Sequence, residues 1–112
     1  MYETAYDFNE SLLQVTVVYA GDEARLVLSG ELDVASAYRV DEELRRAVDH
    51  GARMLVLDMS RTSFLDMSGV RALIDGARSA RSSGAHMRLA GLADAPRRLV
   101  DALSAQLLLG VV

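Results

Sequence analysis

The chain has 112 residues, of which 51% are hydrophobic and 25% charged, and a formal net charge of −4. That balance suits one folded domain and argues against disordered, collagen-like and coiled-coil classes. Having no cysteine, it excludes disulfides and thiolate chemistry, and its two histidines, His50 and His86, cannot make a multi-histidine metal site without several carboxylates assisting.

The 12 basic residues are all arginines scattered along an acidic chain, a poor match to the phosphate backbone, so no nucleic-acid partner is expected. No apolar run reaches the roughly 20 residues of a membrane span. Met1-Tyr2-Glu3-Thr4 lacks the basic start of a signal peptide. A cytoplasmic location with no membrane partner is the resulting expectation.

Residues 1–11 show no clear period, which leaves open a loose arm or an extra edge strand. Leu12–Tyr19 is rich in β-branched side chains, Ala20-Gly21-Asp22-Glu23 supplies turn chemistry, and Ala24–Leu28 resumes the strand pattern. The pair predicts a β-hairpin with Gly21 at or near the tight position, ended by Gly30-Glu31-Leu32-Asp33. Ala37, Val40, Leu44, Ala47 and Val48 recur at helical steps. Asp33 or Ser36 is placed to cap this helix, and Gly51 sits just past its end. Asp41, Glu42, Arg45, Arg46 and Asp49 form its solvated side.

Met54-Leu55-Val56-Leu57 is a continuous apolar run closed by Asp58, the pattern of a central parallel strand. A second helix is predicted to begin between Asp66 and Gly69, with Val70, Leu73, Ile74 and Ala77 inward and Arg71, Asp75 and Arg78 outward. Ser82-Ser83-Gly84 stops it. His86–Ala90 alternates like a strand, with Met87 and Leu89 on one face. A third helix is predicted near Pro96, using Leu99, Ala102 and Leu103. Leu107–Val112 is apolar enough to pack as a final strand or helix end. The resulting order is β-β-α-β-α-β-α, an α/β fold with a mixed β-sheet backed by helices and right-handed crossovers.

The stretch Asp58–Val70 reads as the connection from the most buried strand to the second helix, at the strand's carboxyl end, where open α/β folds place their sites. Exposed amides at a helix start favour an anion there. Phe64 and Leu65 are expected to anchor this connection in the core while Asp66 caps the helix. From the pattern alone, a capped helix with no further role is the favoured reading.

Three segments, Gly30-Glu31-Leu32-Asp33, Val56-Leu57-Asp58-Met59-Ser60 and Phe64-Leu65-Asp66-Met67-Ser68-Gly69-Val70, together resemble the STAS domain, and most nearly its bacterial anti-sigma factor antagonists. The resemblance runs over roughly residues 12–110 and implies a single STAS domain across residues 1–112. It implies a non-enzymatic protein without cofactor or metal, a monomer or weak dimer, that regulates transcription by partner switching. In that family a dephosphorylated antagonist binds an anti-sigma factor that is itself a serine kinase. The kinase phosphorylates the Ser or Thr directly after the Asp of the loop motif, and a phosphatase reverses it. A phosphate adds about −1.5 to −2 charges at neutral pH, enough to disrupt a contact surface.

The implied partner-binding residues are Asp33, Asp66, Met67, Ser68, Gly69 and Arg71. The usual acceptor position holds Met67, which has no hydroxyl, and Ser68 stands at the second hydroxyl position. One helical step turns a side chain by about 100°, so Ser68 faces elsewhere. Three readings follow: a partner-binding domain that is not switched at the usual place, a domain in which Ser68 or another hydroxyl accepts the phosphate, and a STAS scaffold or interaction module whose partner is not a kinase-type anti-sigma factor.

Enzymatic readings are weaker. A phospho-receiver places an Asp after a buried strand, as Asp58 is placed, but needs a lysine that this chain lacks. Neither His50 nor His86 is followed by a nucleophile elbow, and there is no P-loop or Gly-x-Gly-x-x-Gly after a strand.

Overall fold

The computed structural model describes residues 2–6 and 12–102. Five strands form one sheet in the order β1-β2-β3-β4-β5, comprising β1 (Tyr2–Tyr6), β2 (Leu13–Ala20), β3 (Glu23–Leu32), β4 (Met54–Leu65) and β5 (His86–Ala90). Three helices follow β3, β4 and β5 in turn: α1 (Ala37–Asp49), α2 (Met67–Ser82) and α3 (Asp94–Ala102). The predicted order is present, preceded by β1, which pairs antiparallel with β2 and forms the sheet's edge.

β2 and β3 pair across the two-residue turn Gly21-Asp22. Gly21 has φ +61°, a left-handed conformation that lets a tight turn follow the twist of its strands. The Asp22 carbonyl then accepts from Arg53 N at 2.7 Å, which seats the hairpin against the start of β4. β3 to β4 and β4 to β5 are parallel, each joined through a helix. Leu13, Val15, Val17, Leu26, Leu28, Leu55, Leu57 and Leu89 from the strands share one core with Val40 and Leu44 of α1, Val70 and Leu73 of α2 and Val100 of α3. Gly76 permits the close approach of the first two helices, because a Cβ there would lie 2.6 Å from Leu44 Cδ1.

Three expectations are corrected. β4 does not close at Asp58 but continues to Leu65, because β3 is long enough to supply partners as far as Leu32↔Leu65. The register shifts twice on the way, each time by one extra residue on β4. Met59, Thr62 and Leu65 are therefore buried at three-residue spacing, a bulged pattern that neither simple alternation nor a helix would show. Phe64 is not a core anchor. Only Leu65 of that pair turns inward, since neighbouring strand residues face opposite ways.

α3 spans Asp94–Ala102, so Pro96 falls in its first turn as expected, but its buried residue is Val100, with Leu99 only partly buried against the core and Ala102 exposed. Pro96 is tolerated because amides of a first turn have no intrahelical acceptor, and Asp94 suits the positive end of the helix dipole. Leu103, Leu107–Val112 and residues 7–11 lie outside the described residues.

The reverse face of the sheet carries a charged pair of its own. Arg25 Nη1 lies 3.9 Å from Asp58 Oδ2, and Asp58 Oδ1 accepts from the Ser60 hydroxyl at 2.7 Å and the Ser60 amide at 3.0 Å. Those bonds, the hydroxyl's foremost, and the charges of Arg25 and Arg61 hold the Asp58 carboxyl below its ordinary value against the opposing effect of partial burial. A carboxyl lowered by folding stabilises the fold above its unfolded pKa, and the contribution disappears as pH falls through the folded value. The Ser60→Ala variant should therefore be less stable than wild type at neutral pH. In urea denaturation the gap should close as pH drops below the ordinary aspartate range; a gap that stays constant with pH would contradict this account.

Candidate functional site

The carboxyl ends of β3 and β4 lie side by side, with Glu31 opposite Phe64 and Leu32 opposite Leu65. Two turns leave from there. After β3, Asp33 Oδ1 accepts from Ala35 N at 2.9 Å and Ser36 N at 3.2 Å. The buried Ser36 hydroxyl donates to Glu31 O at 2.7 Å and accepts from Asp33 N at 3.0 Å. Neither side chain caps α1 in the usual manner; both instead lock the turn that leads into it. After β4 a single residue, Asp66, makes the turn into α2. Its carboxylate accepts from Gly69 N at 3.0 Å, the expected N-cap, and its amide donates to Leu32 O at 3.4 Å. That bond brings the Asp33 and Asp66 turns together.

The predicted site residues differ in burial and in role. Asp33 and Asp66 are half-buried and hold their turns. Ser68 is half-buried in the first turn of α2, and Arg71 is exposed one turn further on. Gly69 is buried and cannot belong to a contact surface: a Cβ there would lie 2.5 Å from Leu32 O and 2.6 Å from Leu65 Cδ1, so it serves the packing of α2 against β3 and β4. Met67 is 50% exposed, and around the same end of the sheet Val34 is 78%, Tyr38 45% and Phe64 48% exposed. Four large apolar side chains are thus left exposed on the segments that leave this end of the sheet. From Met67 a shallow groove runs along α2, lined by Val70, Arg71, Ile74, Asp75 and Arg78.

Val34, Tyr38 and Phe64 are absent from the implied partner-binding residues. A signal for two of them was available: Val34 is apolar inside a turn sequence, and Tyr38 stands off the apolar stripe of α1. Phe64 carried none, because its direction depends on the bulges in β4.

The described residues offer little for the rival chemistries. His50 caps α1, stacks on Tyr19 with ring centroids 5.3 Å apart and faces Arg46 O at 2.8 Å through Nδ1. His86 is exposed on β5. Asp58 is held by Ser60 and Arg25 within the sheet. Among the described residues no cluster of three potential ligands is arranged to hold a metal ion, and no helix is long and apolar enough to cross a membrane.

Over residues 4–109 the sequence matches the family model of the STAS domain. The chain belongs to the STAS domain family. No curated protein matches it in sequence. Among solved structures this STAS domain is similar to an anti-sigma factor antagonist from Mycobacterium paratuberculosis, with a TM-score of 0.77 at 18% identity over 88% of this chain and 84% of the other. It is similar to an antisigma-factor antagonist STAS domain from Rhodobacter sphaeroides, at 28% identity and TM-score 0.58, covering 72% and 88%. It is also similar to a sulfate transporter family protein from Wolinella succinogenes, at 21% identity and TM-score 0.72, covering 84% and 79%. The first and third likenesses are of fold. Anti-sigma factor antagonists and a transporter family protein thus share the architecture of this chain.

Proposed function

We propose that this STAS domain is an anti-sigma factor antagonist that binds an anti-sigma factor, and so regulates transcription, without catalysing a reaction of its own. The observation that carries the reading is the exposure of four large apolar side chains, Val34, Tyr38, Phe64 and Met67, on the segments that leave the end of the sheet at the Asp66-capped start of α2. The contact surface of this reading comprises these residues with Asp33, Asp66, Ser68 and Arg71. Cytoplasmic action as a monomer or weak dimer accords with it.

Met67 occupies the position where the family carries its phospho-acceptor, so the surface is not switched there by phosphorylation. Ser68, half-buried in the first turn of α2, is the secondary candidate, and a phosphatase is required only if it is used. The likeness to a transporter family protein favours a second reading, an interaction module whose partner is not a kinase-type anti-sigma factor.

The test is calorimetric titration of the purified chain against the kinase-type anti-sigma factors of its source genome, produced one at a time. Saturable one-to-one binding of one of them is expected; binding of none would leave the interaction-module reading standing. Incubation of that partner with ATP should leave the wild-type chain unphosphorylated by mass spectrometry, whereas Met67→Ser should gain phosphate. Stoichiometric phosphate on Ser68 of the wild type would overturn the unswitched reading.

A further inference from the structure

We propose that Met67 is a reversible oxidation site through which peroxide controls the docking surface. The inference rests on the antagonist reading above and supplies the regulation that a phospho-acceptor would otherwise provide. Met67 is half exposed at the first position of α2, whereas Met59 and Met87 are buried and Met54 is partly covered. Because the chain has no cysteine, no thiol competes for the oxidant within it. Among the described methionines, access alone directs the reaction to Met67.

The reaction requires only hydrogen peroxide. The thioether sulfur attacks one peroxide oxygen, the O–O bond breaks and an S–O bond forms. The sulfur is oxidised by two electrons, and the other oxygen leaves as water after proton transfer. The product is the sulfoxide, and a thiol-dependent reductase reverses the change.

The structure gives the added oxygen a consequence. It stands at the head of the groove along α2, with the apolar Val70 and Ile74 among its lining and the capping carboxylate of Asp66 one residue before it. The Gly69 and Val70 amides of the helix start are already taken by Asp66. Docking an apolar partner surface would strip water from the sulfoxide without replacing its hydrogen bonds, which is costly. A flexible thioether suits such a surface and a sulfoxide does not.

Treating the purified chain with hydrogen peroxide should place one oxygen on Met67 before Met54, Met59 or Met87 by peptide mass mapping, with the melting temperature unchanged. Earlier oxidation of a buried methionine, or loss of the fold, would overturn the proposal without reference to any partner. Against the anti-sigma factor that binds the reduced chain, the Met67 sulfoxide should bind about tenfold more weakly or worse, and methionine sulfoxide reductase should restore binding. Met67→Leu should bind before and after peroxide alike. Equal affinity of the oxidised wild type, or peroxide sensitivity in Met67→Leu, would overturn the switch while leaving the antagonist reading intact. A reduced chain that binds none of the anti-sigma factors would overturn that reading and this inference with it.

Discussion

Gly30→Ala is expected to destabilise the fold by about 4 kcal/mol, as the sum of a strained backbone and an overpacked contact. Gly30 has φ +117°, a conformation essentially reserved for glycine. A Cβ would also run into the Leu12 carbonyl oxygen, the atom that accepts from Glu31 N at 3.4 Å. The clash is with backbone and cannot be relieved by a side-chain rotation. Because small domains hold only ~5–15 kcal/mol in total, urea denaturation should show a large drop in midpoint. Gly69→Ala should cost less, about 2 kcal/mol, since its φ is ordinary and Leu65 can move while Leu32 O cannot. An unchanged midpoint for Gly30→Ala would mean that β3 leaves Leu12 by another path.

The largest effect on binding is expected from Phe64→Glu. Phe64 is about half exposed, so the change should alter stability by no more than about 1 kcal/mol, mostly through strand preference. At the docking surface it would bury an unpaired carboxylate beside Glu31, its register partner on β3, which should weaken binding by about a hundredfold or more. Phe64→Leu should retain most of the affinity, and Arg88→Glu, at an exposed position of β5, should leave it unchanged. Ser68→Glu should weaken binding by a similar argument. If Phe64→Glu binds like wild type while Ser68→Glu does not, the interface lies on α2 and excludes the end of β4.

Where local chemistry decides structure, the residues were legible in advance. The Gly21 turn depends on one residue's freedom at positive φ, the inner faces of α1 and α2 on side chains three and four apart, and the Asp66 cap on a carboxylate three residues before an unpartnered amide. Local pattern failed where a partner strand intervened. Asp58–Leu65 looks like a connection because its buried residues are spaced by threes, and only pairing with β3 makes it a bulged strand. Glu43 shows the same limit. No periodicity of apolar residues singles it out, yet it is buried, with Arg39 Nη2 3.8 Å and Arg46 Nη1 3.5 Å from its carboxylate.

The sequence alone determined the α/β alternation, the inner faces of α1 and α2 and the family, because these depend on short-range periodicity and on motifs contiguous in the chain. Only the tertiary structure decided that Gly69 is a packing residue and that Phe64, Val34 and Tyr38 join Met67 at the surface. Exposure is set by what other segments cover, and that depends on strand register and helix placement far along the chain.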